Sequence, residues 1–495
     1  MSVFLRAALA GVTVAAFAAL APAAPAAAPV APGGAKAVTF PYPANAPVVV
    51  QVNGLGATRE RLQAMLKAAL PDEAGVVGKQ LEEGVKMLLA ERKLTAIPAQ
   101  GRVFLVVNDI AGLAQDEPAV SVLVPVTGYK DFRESFLTAD ERKSFEPGKN
   151  GIDEAKLSVG GEHAVYMVDL KEYVAITPDK ATAEVYAGKF TKATTAAMSA
   201  DIATSFTAAD FALFVNLDAI NDKYGDQIRA VRGLIDFGIQ QAQMGGALPG
   251  VGKKQLEAAK GMLQGVFQAV EDGRAVLLTA EFRPEGLNLR LQAQFADDTN
   301  SAKLLKAETP GPLADLAKLP AGLGGYTGSA LGKKVTETLR GLNPEFAPAD
   351  DDDTGTAAVE KRQKELLAAG PKGDVAAAGV SAKGGANVTL SIAAYDDPKK
   401  AAAALVGCYQ AMTAGGRVQS AVLKDAPKVT ADARKLQAFN FTEVRLAFDF
   451  EATVKDLPGE LKENMLAQLK RSLSEKMTLW IGTDGKHVVQ VSAKD

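Results

Sequence analysis

Residues 287–295, Leu-Asn-Leu-Arg-Leu-Gln-Ala-Gln-Phe, alternate without a break. Leu287, Leu289, Leu291, Ala293 and Phe295 fall on one side; Asn288, Arg290, Gln292 and Gln294 fall on the other. A strand turns successive side chains to opposite faces, so a period of two predicts a strand with one dry and one wet face. Val444, Leu446, Phe448 and Phe450, set against Glu443, Arg445, Asp449 and Glu451, repeat the pattern. Half-wet strands belong to antiparallel sheets, whereas a doubly wound parallel sheet buries both faces of its strands. Asp484-Gly485, between the apolar runs 478–482 and 487–491, adds a hairpin turn near the C-terminus.

Outward from these strands, helices and strands recur in a fixed order. Residues 48–53, VVVQVN, form the first strand, and a turn at Gly54 and Gly56 leads into a helix with Thr58 as its expected N-cap. Leu62, Met65, Leu66, Ala69 and Leu70 share one face of that helix. Pro71 ends it, and a second amphipathic helix carries Val77, Leu81, Val85, Leu88 and Leu89. Strands 103–108 and 120–126, a helix at 130–137, and strands 156–159, 163–169 and 173–177 complete the series. The order then repeats. Strand 211–216, FALFVN, precedes a helix with Ile220, Tyr224, Ile228, Val231, Ile235, Ile239 and Ala242 at helical spacing. Another helix has Leu256, Leu263, Val266, Phe267 and Val270 on one side, and strands 275–282 and 287–295 and a helix near Asp297 follow. The expected fold class is α+β, in duplicated units of antiparallel sheet with long amphipathic helices packed on one face.

At 495 residues the chain exceeds one ordinary core and predicts two or three domains. Residues 1–28 read as a signal peptide: Arg6 precedes the apolar run 7–20, and Ala21-Pro22-Ala23 or Ala24-Pro25-Ala26 offers a small-x-small cleavage site. The run is shorter than the ~20 apolar residues of a spanning helix, so no transmembrane segment is expected after cleavage. Residues 29–46 form a Pro/Ala-rich spacer, 47–200 the first α+β unit and 205–343 the second. An acidic linker over 344–373 holds Asp350, Asp351, Asp352 and Asp353 and a short helix at 359–367. Residues 374–495 form a C-terminal α+β part, a third domain or the completion of the second unit. The expected location is periplasmic or extracellular.

Composition narrows the chemistry. Lys and Arg number 55 against 58 Asp and Glu, a balance that lacks the basic excess needed to meet phosphates and predicts no nucleic-acid partner. Hydrophobic residues at 47 % are enough for packed cores, and aromatics at 6 % leave those cores to Ala, Val and Leu. Cys408 is the single cysteine, so no intrachain disulfide forms, and its helical run predicts a buried thiol.

Reactive motifs are sought in turn. Gly54-Leu55-Gly56-Ala57-Thr58-Arg59 follows a strand as a dinucleotide fingerprint does, but Arg59 stands where the third glycine belongs. A calcium loop started at Asp350 would place Lys361 where the bidentate carboxylate is required. His163 and His487 are the only histidines, too few for a three-histidine zinc site, and no G-x-S-x-G elbow accompanies them. Trp480 reads as a packing anchor, and the sequons at Asn387 and Asn440 lie in expected strands. No residue is assigned as catalytic, cofactor-binding or metal-ligating, and no cofactor is expected.

The segments PVVVQVNGL and DFALFVNLD, with the strand-to-helix passages VLVPVTGYKDF and IAAYDDPKK, resemble an uncharacterised family of exported bacterial proteins with repeated strand-helix-helix-strand-strand-helix units. The resemblance implies an architecture and transfers no catalytic residue. The functional expectation is an exported, non-enzymatic binding or interaction protein of the periplasm or cell envelope, its partner a protein or an apolar small molecule. Two alternatives stand beside it. One is a carrier holding an apolar ligand such as lipid in a sheet-helix cavity; the other is a hydrolase whose site is assembled from distant residues.

Overall fold

A computed structural model describes residues 37–494 except 70, 72–73, 77, 81–82, 84–91, 112–118, 158–162, 245–252, 285, 307–312, 321–322, 324, 330–345, 348–352, 381–386, 419–420, 456–458 and 473. The expected signal peptide, most of the spacer and most of the helix expected at 77–89 lie outside the described residues. The fold is α+β. Contacts divide the chain into two units, Met1–Ile228 with Ala269–Ala296, and Arg229–Gln268 with Asp297–Asp495.

Unit 1 contains β1 (Thr39–Pro43), β2 (Val48–Val52), β3 (Val103–Asp109), β4 (Ala119–Pro125), β5 (Ile152–Leu157), β6 (His163–Asp169), β7 (Tyr173–Thr177), β8 (Lys192–Thr194), β9 (Phe211–Asn216), β10 (Gly273–Arg283) and β11 (Gly286–Phe295). Nine of them form one antiparallel sheet in the order β11-β10-β9-β2-β3-β4-β7-β6-β5, and β1 pairs with β8 in a separate ribbon. Strands from the two expected units, 47–200 and 205–343, thus lie side by side. Val50 is opposite Leu213 at the join, and β2-β3-β4 on one side mirrors β9-β10-β11 on the other.

The central strands are apolar at nearly every position because both of their faces are covered. On one face Val49, Phe104, Val106, Ala212 and Phe214 pack with Phe40 and Tyr42 of β1, and with Tyr186 and Phe206 of two short helices, Lys180–Ala187 and Ala200–Ala208. On the other, Val50, Val52, Val103 and Leu105 pack with Leu55 of the helix Leu55–Ala69. Leu217, Ile220 and Tyr224 of the helix Leu217–Met244 make a further cluster with Val215 and Val276.

Two strand-to-helix asparagines make matching bonds across the mirror. Asn53 N donates to Asp210 O and Asn53 Nδ2 to Thr207 O; Asn216 N donates to Pro47 O and Asn216 Nδ2 to Ala44 O. After Asn53 the chain turns through Gly54, whose φ of +63° is a left-handed conformation that glycine adopts without strain. Thr58 is therefore not the N-cap. Its N–H donates to Gly54 O at 2.9 Å, which starts the helix four residues earlier than expected and leaves the Thr58 hydroxyl to bond elsewhere. The strand expected at 156–159 runs instead over Ile152–Leu157.

Unit 2 contains β12 (Gly325–Ser329), β13 (Phe346–Ala347), β14 (Pro371–Val380), β15 (Asn387–Tyr395), β16 (Arg417–Val418), β17 (Ala421–Leu423), β18 (Lys428–Leu436), β19 (Phe439–Asp449), β20 (Lys476–Thr483) and β21 (His487–Lys494). The antiparallel order is β12-β14-β15-β21-β20-β19-β17-β16-β13, with β18 paired to β19. Val444, Leu446 and Phe448 are buried as their alternation predicts, and Phe450 is buried at the start of a helix, Phe450–Thr453, that ends the expected strand. Gly485, at φ +85°, makes the turn from β20 to β21. The helix Pro398–Gln410 supplies Ala401, Ala404, Leu405 and Cys408 to the same core. Its N-terminus is set by Pro398 and by Asp397, whose carboxylate accepts from Lys400 N. Within 344–373 lie β13 and the helix Asp353–Ala368, which buries Val359 and Leu366 in that core. Gly355 is helical, so the expected failure of a calcium loop has a backbone reason as well; Asp350, Asp351 and Asp352 lie outside the described residues.

Candidate functional site

Strand β11 does not have the dry face that its alternation predicts. Leu287, Leu289 and Leu291 are 50, 62 and 70 % exposed. The register explains their setting: Phe282 is opposite Leu287, Ala280 lies between Phe211 and Leu289, and Leu278 lies between Leu213 and Leu291. These rungs make one apolar surface across β9, β10 and β11. It is half-buried at β9 and open at β11, the last strand of the sheet.

The helix Leu55–Ala69 partly roofs this surface. Its first residue shares the cluster against which Phe211 and Leu213 pack, and its body touches β10 and β11. Asp210 holds it there. This buried carboxylate accepts from the Thr58 hydroxyl at 3.3 Å, from the Arg61 guanidinium, and from the Phe282 backbone N–H at 2.8 Å. One side chain thus ties the helix, the start of β9 and the end of β10. Leu62, Met65 and Leu66 of the helix are half-buried, and the β11 leucines are exposed. A surface made of Leu, Phe and Ala with no ionisable group on its rungs has no acid, base or nucleophile to offer. What it can do is bury apolar area, worth about 25 cal/mol per Å² removed from water.

The residues weighed for chemistry on sequence grounds are divided between the units, His163 in unit 1 and the others in unit 2. Cys408 is fully buried in the unit 2 core. His163 begins β6, its Nε2 buried with no hydrogen-bond partner among the described residues. His487 begins β21; its Nε2 is 3.4 Å from Asp315 and its Nδ1 is 3.4 Å from Asp484, so both ring nitrogens face carboxylates. Trp480 lies on β20 opposite Glu443 and Val491. Asn387 and Asn440 lie in β15 and β19.

Two polar clusters have no local motif that foretells them. Tyr186, Ser121 and Asn108 form a buried group in unit 1, with Tyr186 Oη 2.8 Å from Ser121 Oγ and 3.2 Å from Asn108 Oδ1. Burial pushes the Tyr186 hydroxyl well above its ordinary range, against a smaller lowering by Ser121, so it stays protonated. Asp109 accepts from Lys223 Nζ at 2.8 Å, Tyr224 Oη at 2.6 Å and Ala111 N at 2.7 Å. Burial raises its pKa, but these bonds outweigh burial and hold the carboxyl below the usual carboxylate range. Each cluster is satisfied by its own members. Among the described residues no group of three or more His, Cys, Asp and Glu side chains is gathered to hold a metal ion.

Leu234 and Phe237, on the helix Leu217–Met244, are also exposed, at 71 and 57 %. Among the described residues no helix is long and apolar enough to cross a membrane. Comparison of the chain with protein-family models, curated proteins and solved structures gave no match.

Proposed function

We propose that this is an exported, non-enzymatic binding protein of the periplasm or cell envelope, and that it binds through the open apolar surface of β10 and β11. The observation that carries the reading is the exposure of Leu287, Leu289 and Leu291 on one face of an ordered strand. Contiguous apolar side chains on a protein surface are the usual mark of an interaction site, whereas a scattered leucine means little. The partner is a protein segment or a small molecule of apolar character.

A carrier of lipid is the second reading, and the partial roof formed by the helix Leu55–Ala69 is what favours it. Such a ligand would lie between Leu62, Met65 and the β11 leucines. Purified protein is to be extracted with organic solvent and analysed by mass spectrometry, and titrated with a fluorescent fatty acid. The carrier reading expects co-purified lipid and probe binding that falls at least tenfold in the double variant Leu289→Asn, Leu291→Asn. Probe binding unchanged by that variant would remove this surface as the site. Absence of both lipid and probe binding would leave the protein-segment form alone.

A further inference from the structure

The leucines are only half of what β11 exposes; the other half is backbone. A terminal strand of a sheet presents an unpaired row of N–H and C=O groups along its outer edge, and proteins normally blunt such an edge. The opposite end of the same sheet is blunted. There β5 carries Asp153, Glu154 and Lys156, and its edge is covered by a bridge in which Glu146 and Glu154 exchange N–H···O bonds of 2.8 and 3.0 Å. On β11, by contrast, ten residues hold one charge, Arg290, and no proline. No described strand or bridge pairs with the outer edge.

We propose that two copies of this chain pair edge to edge through β11, antiparallel, across a twofold axis at Leu291. The sequence of β11 is its own complement in that register. Leu291 meets its own copy, Leu289 meets Ala293 and Leu287 meets Phe295 on the apolar face; Arg290 meets Gln292 and Asn288 meets Gln294 on the polar face. The single cation is thus set opposite an amide, with no like charge directly across the strands. A foreign strand would need to reproduce this alternation, whereas a second copy supplies it by symmetry. A twofold contact uses the same patch on both partners and closes on itself. The blunted β5 edge then keeps the sheet from growing past two copies. The pairing would extend the apolar surface of the proposed binding site across both copies, although it rests on the edge and not on that reading. One strand pair lies at the low end of interface sizes, below the about 1,200–2,000 Å² of stable complexes, so the dimer is reversible.

Sedimentation equilibrium of the full-length mature chain tests the pairing, up to about 100 μM, roughly −5.5 kcal/mol at the midpoint. The expected result is a monomer–dimer equilibrium whose dissociation constant rises at least tenfold in the variant Leu289→Lys, Leu291→Lys. Leu234→Lys, an equally exposed helix position, is expected to leave it unchanged. In a second measurement, Leu291→Cys is expected to cross-link on mild oxidation faster than Leu234→Cys; the native Cys408 is buried. A wild-type monomer throughout this range overturns the proposal, as does a dimer indifferent to the two lysines. A monomer with lipid on the β11 leucines overturns the pairing and keeps the binding reading. A lysine-sensitive dimer that binds no apolar ligand keeps the pairing and removes the carrier.

Discussion

Asp210 organises more of unit 1 than its size suggests, since its carboxylate is the meeting point of Thr58, Arg61 and the Phe282 N–H. Asp210→Ala takes this acceptor from Arg61 and the Phe282 N–H, while the Thr58 hydroxyl keeps its 2.7 Å bond to Asn53 O, and a loss of about 1–3 kcal/mol is expected in urea unfolding. The fluorescent probe should also bind differently, because the helix over β10 loses its anchor. Arg92 and Glu141 are a second case. Their ion pair is buried to 3 and 1 % side-chain exposure, and Glu141 Oε2 also accepts from the Thr138 N–H in a capping box. Arg92→Met removes the cation from this buried pair and is expected to cost about 3–5 kcal/mol, read from the same transition. Residues of this kind are not legible in the sequence. Asp210 opens the segment DFALFVNLD, but nothing local says that its partners come from residues 58, 61 and 282.

The element scale separates what periodicity reports from what it leaves open. Alternation in β19 agrees with its burial because helices and strands cover its apolar side. The same alternation in β11 predicts a buried row that is instead exposed, since the helix Leu55–Ala69 packs mainly against β10. Caps are more local and more legible. The passage IAAYDDPKK marks a change from strand to helix, and within it Asp397 accepts from Lys400 N. Asp397→Ala is expected to destabilise unit 2 by about 1 kcal/mol, with little change from Asp397→Ser. Gly273, which begins β10, has tighter demands: an added Cβ would lie 2.3 Å from Leu217 Cδ1 and 2.8 Å from Ala269 O. Gly273→Ala should therefore lower the unfolding midpoint, whereas Gly265→Ala, in open space on a helix, should raise or preserve it.

Across the whole molecule, protection from hydrogen exchange should follow position in the sheet. Amides of β3, the fifth of nine strands, and of its neighbours β2 and β4 are expected to exchange slowest, and those of β11 fastest within that sheet. Raising the protein concentration should slow β11 selectively if edges pair. Acid should weaken unit 1 in a defined sense. The Asp109 carboxyl is held below its ordinary value, so its contribution is complete above the unfolded pKa of about 3.9 and is lost as pH falls through the folded value. Asp109→Asn should flatten that acid limb in urea midpoints measured between about pH 5 and pH 2.

Local pattern determined the α+β class, the antiparallel character of the sheets, the recurrence of strand, helix and strand, and the turn at Asp484 and Gly485. Those features depend on which side chains share a face and on which backbone turns a residue tolerates, and both are written within a few residues. Only the tertiary structure decided that β2 and β9 are neighbours, that Asp210 gathers three donors, and that the leucines of β11 face outward. Each is a pairing between segments far apart in the chain, or the lack of one. An apolar row records a tendency to leave water, but whether anything covers it depends on which distant element packs on that face.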